Sequence, residues 1–346
     1  MSLSDEELQR YSRQIVLRTM GLEGQKKLKR SRVSIVGVGG LGCFSSVQLA
    51  SMGVGYLRLI DQDVVDITNL HRQILYDTDS LGYPKVEIAQ KRLTALNPHV
   101  EIDAMPLTVN EETAYDVVKD VDVVIDGLDH FAPRYAINKA CVKLKIPYVY
   151  GGALETYGNV TTIIPEKTAC LECFLGRLSD EGMPTCETAG VLPSILATIT
   201  SIQVSEAIKL LTGSTPSLAN KMLFIDMNAL SFTSFNIVNR ENCPTCGTQS
   251  IEVKPLGPGL KVVELCGKDS FMASPIQPLT LNIAEVAGIL EERFTIKLRS
   301  AFGLTLERSD GVSISLMKTG NALIKGVSDK KDATTIYDEL MATLKR

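Results

Sequence analysis

Val33-Ser34-Ile35-Val36-Gly37-Val38-Gly39-Gly40-Leu41-Gly42 is the stretch of this 346-residue chain that decides its fold. An apolar-rich run reads as a buried strand, and Gly37, Gly39, Gly40 and Gly42 fit G-x-G-x-x-G and G-x-G-G-x-G together. They lead into a helical pattern over residues 41–52, with Leu41 as its first apolar residue. Glycines let backbone N–H groups close on a phosphate at a helix N-terminus, where the dipole favours negative charge. A second strand pattern, 56–60, ends at Asp61, the usual position for a carboxylate that holds ribose hydroxyls. This much predicts a nucleotide pocket.

Working outward, strand patterns at 34–36, 57–60, 100–104, 121–125 and 148–150 alternate with helix patterns at 41–52, 84–96 and 133–144. Such alternation predicts an α/β fold, a Rossmann-like, doubly wound, mainly parallel sheet covered by helices on both faces. Residues 160–164 read as an antiparallel addition, and 3–19 as an N-terminal helix with Asp5, Glu6 and Glu7 in its first turn. Residues 174–190 lack periodicity and contain Gly176, Gly182, Pro184 and Gly190, which predicts a long mobile loop. A first domain is expected over 1–250, a linker with Pro255, Gly257, Pro258 and Gly259 over 251–259, and a small α+β domain over 260–346. In that tail, strand patterns occupy 260–265, 294–298, 312–317 and 322–327, and helices 283–293 and 331–344.

Composition excludes several classes. A net charge of −4 leaves no electrostatic footprint for nucleic acid. The apolar stretch 191–211 carries Ser201, Gln203, Ser205, Glu206 and Lys209, so it reads as a core helix and not a membrane span. Residues 1–30 are charged and helix-like, without the apolar segment of a secretory signal, and a cytoplasmic location is expected.

The residues beyond Asp61 sharpen the pocket chemistry. A dinucleotide needs mainly backbone N–H groups for its pyrophosphate, whereas a triphosphate under attack at phosphorus needs cations and a metal. Arg72 and Lys85 supply cations, and Asn69 and Gln73 neutral hydrogen bonds. Asp126 and Asp129 lie just past a strand at the edge where ligands bind; one is expected to cap the turn, and Asp129 is the better candidate for Mg²⁺. A nicotinamide-dependent oxidoreductase would explain the glycine loop and Asp61 but requires neither Arg72 nor Lys85. A non-catalytic binding relative would be expected to lack one of the cations. His71, His99 and His130 are read as structural or surface residues.

The cysteines divide by spacing. Cys170-Leu-Glu-Cys173 and Cys243-Pro-Thr-Cys246 form two C-x-x-C knuckles about seventy residues apart, which fits a four-thiolate Zn²⁺ clasp better than a redox pair. Cys186 lies in the aperiodic loop shortly before the apolar helix, where a depressed pKa would make it a candidate nucleophile. Cys43, Cys141 and Cys266 read as packing residues.

Taken together, Arg10-Tyr-Ser-Arg13-Gln14, Gly37–Gly42, Asp61-Gln-Asp63, Thr68-Asn-Leu-His-Arg-Gln73, Lys85, Asp126-Gly-Leu-Asp129 and the knuckles resemble the MoeB/ThiF/HesA adenylyltransferases, relatives of the ubiquitin-activating enzymes. The resemblance spans about residues 10–247. It implies adenylation of a small ubiquitin-like or sulfur-carrier protein ending in Gly-Gly, with ATP as substrate. It assigns ATP binding to Asp61, Asp63, Asn69, Arg72, Gln73 and Lys85, magnesium to Asp129 and zinc to the four knuckle cysteines. The arginine matching Arg13 reaches into a partner subunit's site in that family, which implies a homodimer. The loop cysteine takes the carrier covalently in many relatives, while others stop at the adenylate. The family commonly has Thr and Asn where this chain has Leu128 and His130, which alters the surroundings of Asp129. The tail lacks the cysteine-centred anion loop of a rhodanese, and its position suggests partner binding.

Overall fold

The computed structural model describes residues 2–186, 188–247, 259–264 and 269–344. Most of the expected linker, and Cys266, lie outside the described residues. Eight strands form the first sheet: β1 (Arg32–Val36), β2 (Tyr56–Ile60), β3 (Glu101–Met105), β4 (Val123–Asp126), β5 (Tyr148–Leu154), β6 (Tyr157–Ile163), β7 (Lys221–Asp226) and β8 (Ser231–Asn236). Their order is β3-β2-β1-β4-β5-β6-β7-β8. The first five are parallel, and β6, β7 and β8 are antiparallel additions, extending the single addition expected.

The chain runs outward from β1 to β3, then returns to place β4 on the other side of β1, with Val36 opposite Asp126. This reversal opens a crevice at the carboxyl ends of β1 and β4, where doubly wound sheets bind ligands. Helix Gly40–Met52 follows β1, and helix Phe131–Leu144 follows β4. The apolar stretch after the long loop forms helix Pro193–Thr212, started by a proline in its first turn and stopped by Gly213 at φ +85°. It packs against the sheet and helix Gly40–Met52, with Thr200 donating to the Leu41 carbonyl. It is the one helix among the described residues long and apolar enough to cross a membrane, and here it is a core element.

The expected N-terminal helix is broken. Asp5–Arg10 has a capping box from Ser4 and Glu7, then the chain turns at Tyr11 into the short helix Ser12–Ile15. The break lets the Tyr11 side chain bury against Gly53 and accept a hydrogen bond from Asn97 (2.8 Å). A further helix, Gly21–Arg30, packs beside it.

The tail folds into an antiparallel sheet in the order β11-β12-β13-β14-β10-β9. Its strands are β9 (Leu260–Glu264), β10 (Ser270–Pro275), β11 (Thr295–Arg299), β12 (Gly303–Glu307), β13 (Ser313–Met317) and β14 (Ala322–Lys325). Helices Ile283–Leu290 and Lys330–Leu344 contribute to the same apolar core, separate from the cores of the first sheet.

Candidate functional site

The glycine loop is shaped by contacts too close for side chains. Gly37 has φ +89°, and a Cβ there would lie 2.5 Å from the Gly127 carbonyl oxygen. A Cβ on Gly42 would lie 1.8 Å from the Gly37 oxygen, so the helix can start against the strand only with glycine at this position. Asp61, just past β2, clamps the loop from the side: Oδ2 accepts from Val38 N–H and Oδ1 from Asp63 N–H, both at 2.8 Å. Burial pushes this carboxyl up to about 6, against the pull of Lys85 and of the two N–H donors.

Lys85 opens helix Lys85–Leu96 and is buried, with Nζ donating to Asp63 Oδ2 at 2.9 Å. Burial acts to neutralise it, but Asp63 and Asp61 outweigh that and hold its pKa above the usual lysine value. A buried cation is therefore fixed beside the glycine loop. Gln73 is buried next to Gly39, and its Oε1 has no hydrogen-bond partner among the described residues. Asn69 closes a short turn, its Oδ1 accepting from Asp66 N–H at 3.1 Å. Arg72 donates to the Thr68 carbonyl at 2.7 Å, and its head remains partly exposed. Buried unpaired acceptors are rare, so the Gln73 oxygen is a candidate to meet a ligand donor.

Asp126 and Asp129 separate in role. Asp126 is fully buried; its Oδ2 accepts from Arg134 Nε (3.0 Å) and Tyr148 OH (2.7 Å), and its Oδ1 from Leu128 N–H (2.9 Å). Arg134 also donates to the Leu128 and Gly151 carbonyls at 2.6 and 2.9 Å. Gln203 of the core helix donates to the Asp126 carbonyl at 2.9 Å. This network sets the 126–129 turn, and sequence reading missed Arg134, Tyr148 and Gln203. Asp129 is exposed and pairs with His130 at 2.9 Å. Desolvation pushes the Asp129 carboxyl up, but the His130 hydrogen bond and charge prevail and hold it to about 2. That hydrogen bond, opposed by burial, lifts His130 to about 9. His130 is thus a direct neighbour of the candidate magnesium ligand.

The aperiodic loop is tied down at identifiable points. Asp180 accepts from Phe131 N–H (2.7 Å) and Ala132 N–H (3.3 Å), capping the helix after the 126–129 turn. Glu155 N–H donates to the Gly190 carbonyl and Leu192 N–H to the Glu155 carbonyl, both at 2.8 Å. Cys186 sits beside the carboxyl end of β5, with Sγ 3.9 Å from the Ala153 oxygen. Burial raises its thiol pKa above the ordinary value; Asp129 adds to this, and Arg72 and Arg134 oppose it. The expected depression is therefore reversed, because burial exceeds the cationic help.

Arg13 stands elsewhere. It is exposed and forms no ion pair among the described residues. Its neighbours are anchored at the far end of helix Gly40–Met52: Gln14 donates to the Met52 carbonyl, and Tyr11 packs on Gly53. That thirteen-residue helix separates it from the glycine loop by about 20 Å. Arg13 does not join the pocket of its own chain.

The knuckles converge away from the glycine loop. Cys170, Cys173, Cys243 and Cys246 place their sulfurs within 4.8 Å of one another. Individual gaps are 3.4 Å (Cys173–Cys246), 3.5 Å (Cys170–Cys243) and 3.9 Å (Cys170–Cys173). A tetrahedral zinc with Zn–S bonds of about 2.3 Å requires sulfur separations of about 3.8 Å, so the donor set fits the ion.

The chain resembles known proteins over most of its length. The family model described as ThiF family matches residues 11–246. The chain is 32% identical over 330 residues to the sulfur carrier protein ThiS adenylyltransferase of Bacillus subtilis, covering 95% of this chain and 98% of that protein. It is 39% identical over 246 residues to the molybdopterin-synthase adenylyltransferase of Escherichia coli, covering 71% of this chain and 98% of that one. Among solved structures, Escherichia coli MccB with ATP superposes with a TM-score of 0.62 at 27% identity, covering 69% of this chain and 73% of that chain.

Proposed function

The chain belongs to the ThiF family, and from that premise we propose an ATP-dependent adenylyltransferase for the C-terminal glycine carboxylate of a small ubiquitin-like sulfur-carrier protein. The observation that carries this reading is the buried Lys85, ion-paired to Asp63 beside the glycine loop, with Gln73 next to Gly39 and its oxygen unpaired. Hydride transfer does not require such a cation. The two relatives compared above are named adenylyltransferases, one of them of ThiS.

In this reading the N–H groups of Gly37–Gly42 and the cations of Lys85 and Arg72 receive the phosphates, while Asp61 faces the ribose. Asn69, Asp63 and Gln73 complete the polar wall. Asp129 is the residue to hold Mg²⁺, which when bound would neutralise phosphate charge. The carrier carboxylate attacks the α-phosphorus in line; a C–O–P linkage forms, and the bond to pyrophosphate breaks. The carboxylate is already ionised at pH 7, so no general base is required. The cations stabilise charge gathering on the leaving oxygens.

Arg13, remote from its own pocket, would serve the pocket of a second copy in a homodimer. The exposed Phe235, on the same sheet face as the stacked Tyr157 and Phe224, offers with them an apolar surface for the body of the carrier. Cys186 is placed to receive the activated acyl group with release of AMP, provided its loop moves to a setting that lowers its pKa. The four thiolates of Cys170, Cys173, Cys243 and Cys246 are the proposed zinc ligands.

Carrier-dependent ATP–pyrophosphate exchange tests the reading. The expected result is exchange that requires a carrier ending in Gly-Gly and falls at least about a hundredfold in Lys85→Met. Cys186→Ala should keep the exchange and lose any covalent carrier adduct; an undiminished adduct removes the nucleophile role. Nicotinamide turnover without exchange would overturn the adenylation reading.

A further inference from the structure

We propose that the C-terminal sheet is a permanent brace of the nucleotide pocket, with Lys325 as a positioning residue acting through Asp66. The inference rests on the adenylation reading for what the pocket does. The tail grips the first sheet at three segments: after β2, before helix Lys85–Leu96 and after β3. All three lie at the carboxyl edge that carries the glycine loop.

The grip starts with a small apolar seat. Val64 is buried with Met272 of β10, Met317 of β13 and Leu323 of β14, all below 7% exposed. Val64 also bridges to Pro84, and Lys85 N–H donates to the Asp63 carbonyl at 2.9 Å. The same short pairing that the tail covers therefore holds the Asp63–Lys85 ion pair. On helix Lys85–Leu96, the carboxylate of Glu87 accepts from Ala301 N–H (3.3 Å) and Phe302 N–H (3.2 Å) of the β11–β12 turn. After β3, the Pro106 carbonyl accepts from Thr319 (2.5 Å), and the Thr108 hydroxyl meets Ser274 at 2.9 Å.

Lys325, the last residue of β14, reaches the segment bearing Asn69 and Arg72. Its Nζ donates to Asp66 Oδ2 at 2.8 Å. The other Asp66 oxygen accepts from the Thr68 N–H and hydroxyl at 3.0 and 2.9 Å, while Asn69 Oδ1 accepts from Asp66 N–H. Arg72 hangs from that turn through the carbonyls of Thr68 and Asn69. Asp66 is thus shared: one oxygen shapes the turn that presents Asn69 and Arg72, and the other is held by the tail. Burial pushes its carboxyl up, but Lys325 and the Thr68 donors hold it to about 2, so the carboxylate is ionised at neutral pH.

The pair is partly exposed, and exposed pairs couple by up to about 1 kcal/mol, about fivefold in an equilibrium. In carrier-dependent exchange with the full chain, Lys325→Met should raise the KM for ATP about threefold to fivefold. The double variant Lys325→Met, Glu87→Ala should raise it about tenfold or more. In both, kcat at saturating ATP should stay within about twofold, and Lys325→Arg should restore the wild-type KM. An unchanged KM in the double variant overturns the brace, as does a loss of thermal stability without a KM change. Should the wild-type chain give no exchange at all, it is the adenylation reading that fails. Calorimetric titration with ATP then tests the brace by itself, and equal affinity in wild type and double variant overturns it.

Discussion

Arg134 shows how one side chain can order a site without touching it. It joins Asp126, the turn carbonyl of Leu128 and the strand carbonyl of Gly151 in one buried network. Replacing it by methionine leaves a buried carboxylate without its cation. Arg134→Met should therefore cost about 3–5 kcal/mol in urea unfolding, far more than loss of a surface charge. The residue was not legible in the sequence: its partner Asp126 is also bonded by Tyr148 and Gln203 on separate elements, and nothing local distinguishes Arg134 from a helical surface arginine. Gly42 was legible because its constraint acts within one strand–turn–helix, Gly37 because its backbone angle is local to that turn, and Asp61 because it ends the next strand of the same unit. Cys186 was read by position alone, and position carries no measure of the burial that raises its pKa.

Among elements, helix Phe131–Leu144 takes its N-terminal cap from Asp180, almost fifty residues on, in the aperiodic loop. Asp180→Ala should cost about 1 kcal/mol of stability and should also release the loop. Faster tryptic cleavage after Arg177, monitored by mass spectrometry, is the expected sign; unchanged cleavage would show that the other ties suffice. β1, β2 and β4 were legible because both faces are covered, which makes them largely apolar, while the edge strand β3 showed through its alternation. β8 was not, since all six of its residues are exposed and its conformation comes from pairing with β7. The broken N-terminal helix was likewise hidden, because the break is set by Tyr11 packing on the distant Gly53.

Across the whole molecule, two long-range closures complete what the central sheet begins. One is the tail's grip on the pocket wall; four of its six strands were visible as patterns, but docking contacts such as Lys325–Asp66 leave no periodic trace. The other is the cysteine clasp, legible from C-x-x-C spacing because metal ligation demands its own local geometry. It joins the start of the aperiodic loop to the segment beyond β8, so metal binding should contribute directly to folding. Metal analysis is expected to find one zinc per chain, and chelation should lower the melting temperature; a metal-free protein of equal stability would refute the assignment.

The clasp also dictates how this protein ages in air. The two shortest sulfur gaps run from one knuckle to the other, 3.4 Å for Cys173–Cys246 and 3.5 Å for Cys170–Cys243. A chain without metal there that meets an oxidant therefore has crosswise disulfides nearest to hand. Oxidation would then close the clasp covalently, holding the loop's root in the place proposed for the ion and barring its entry until a reductant arrives.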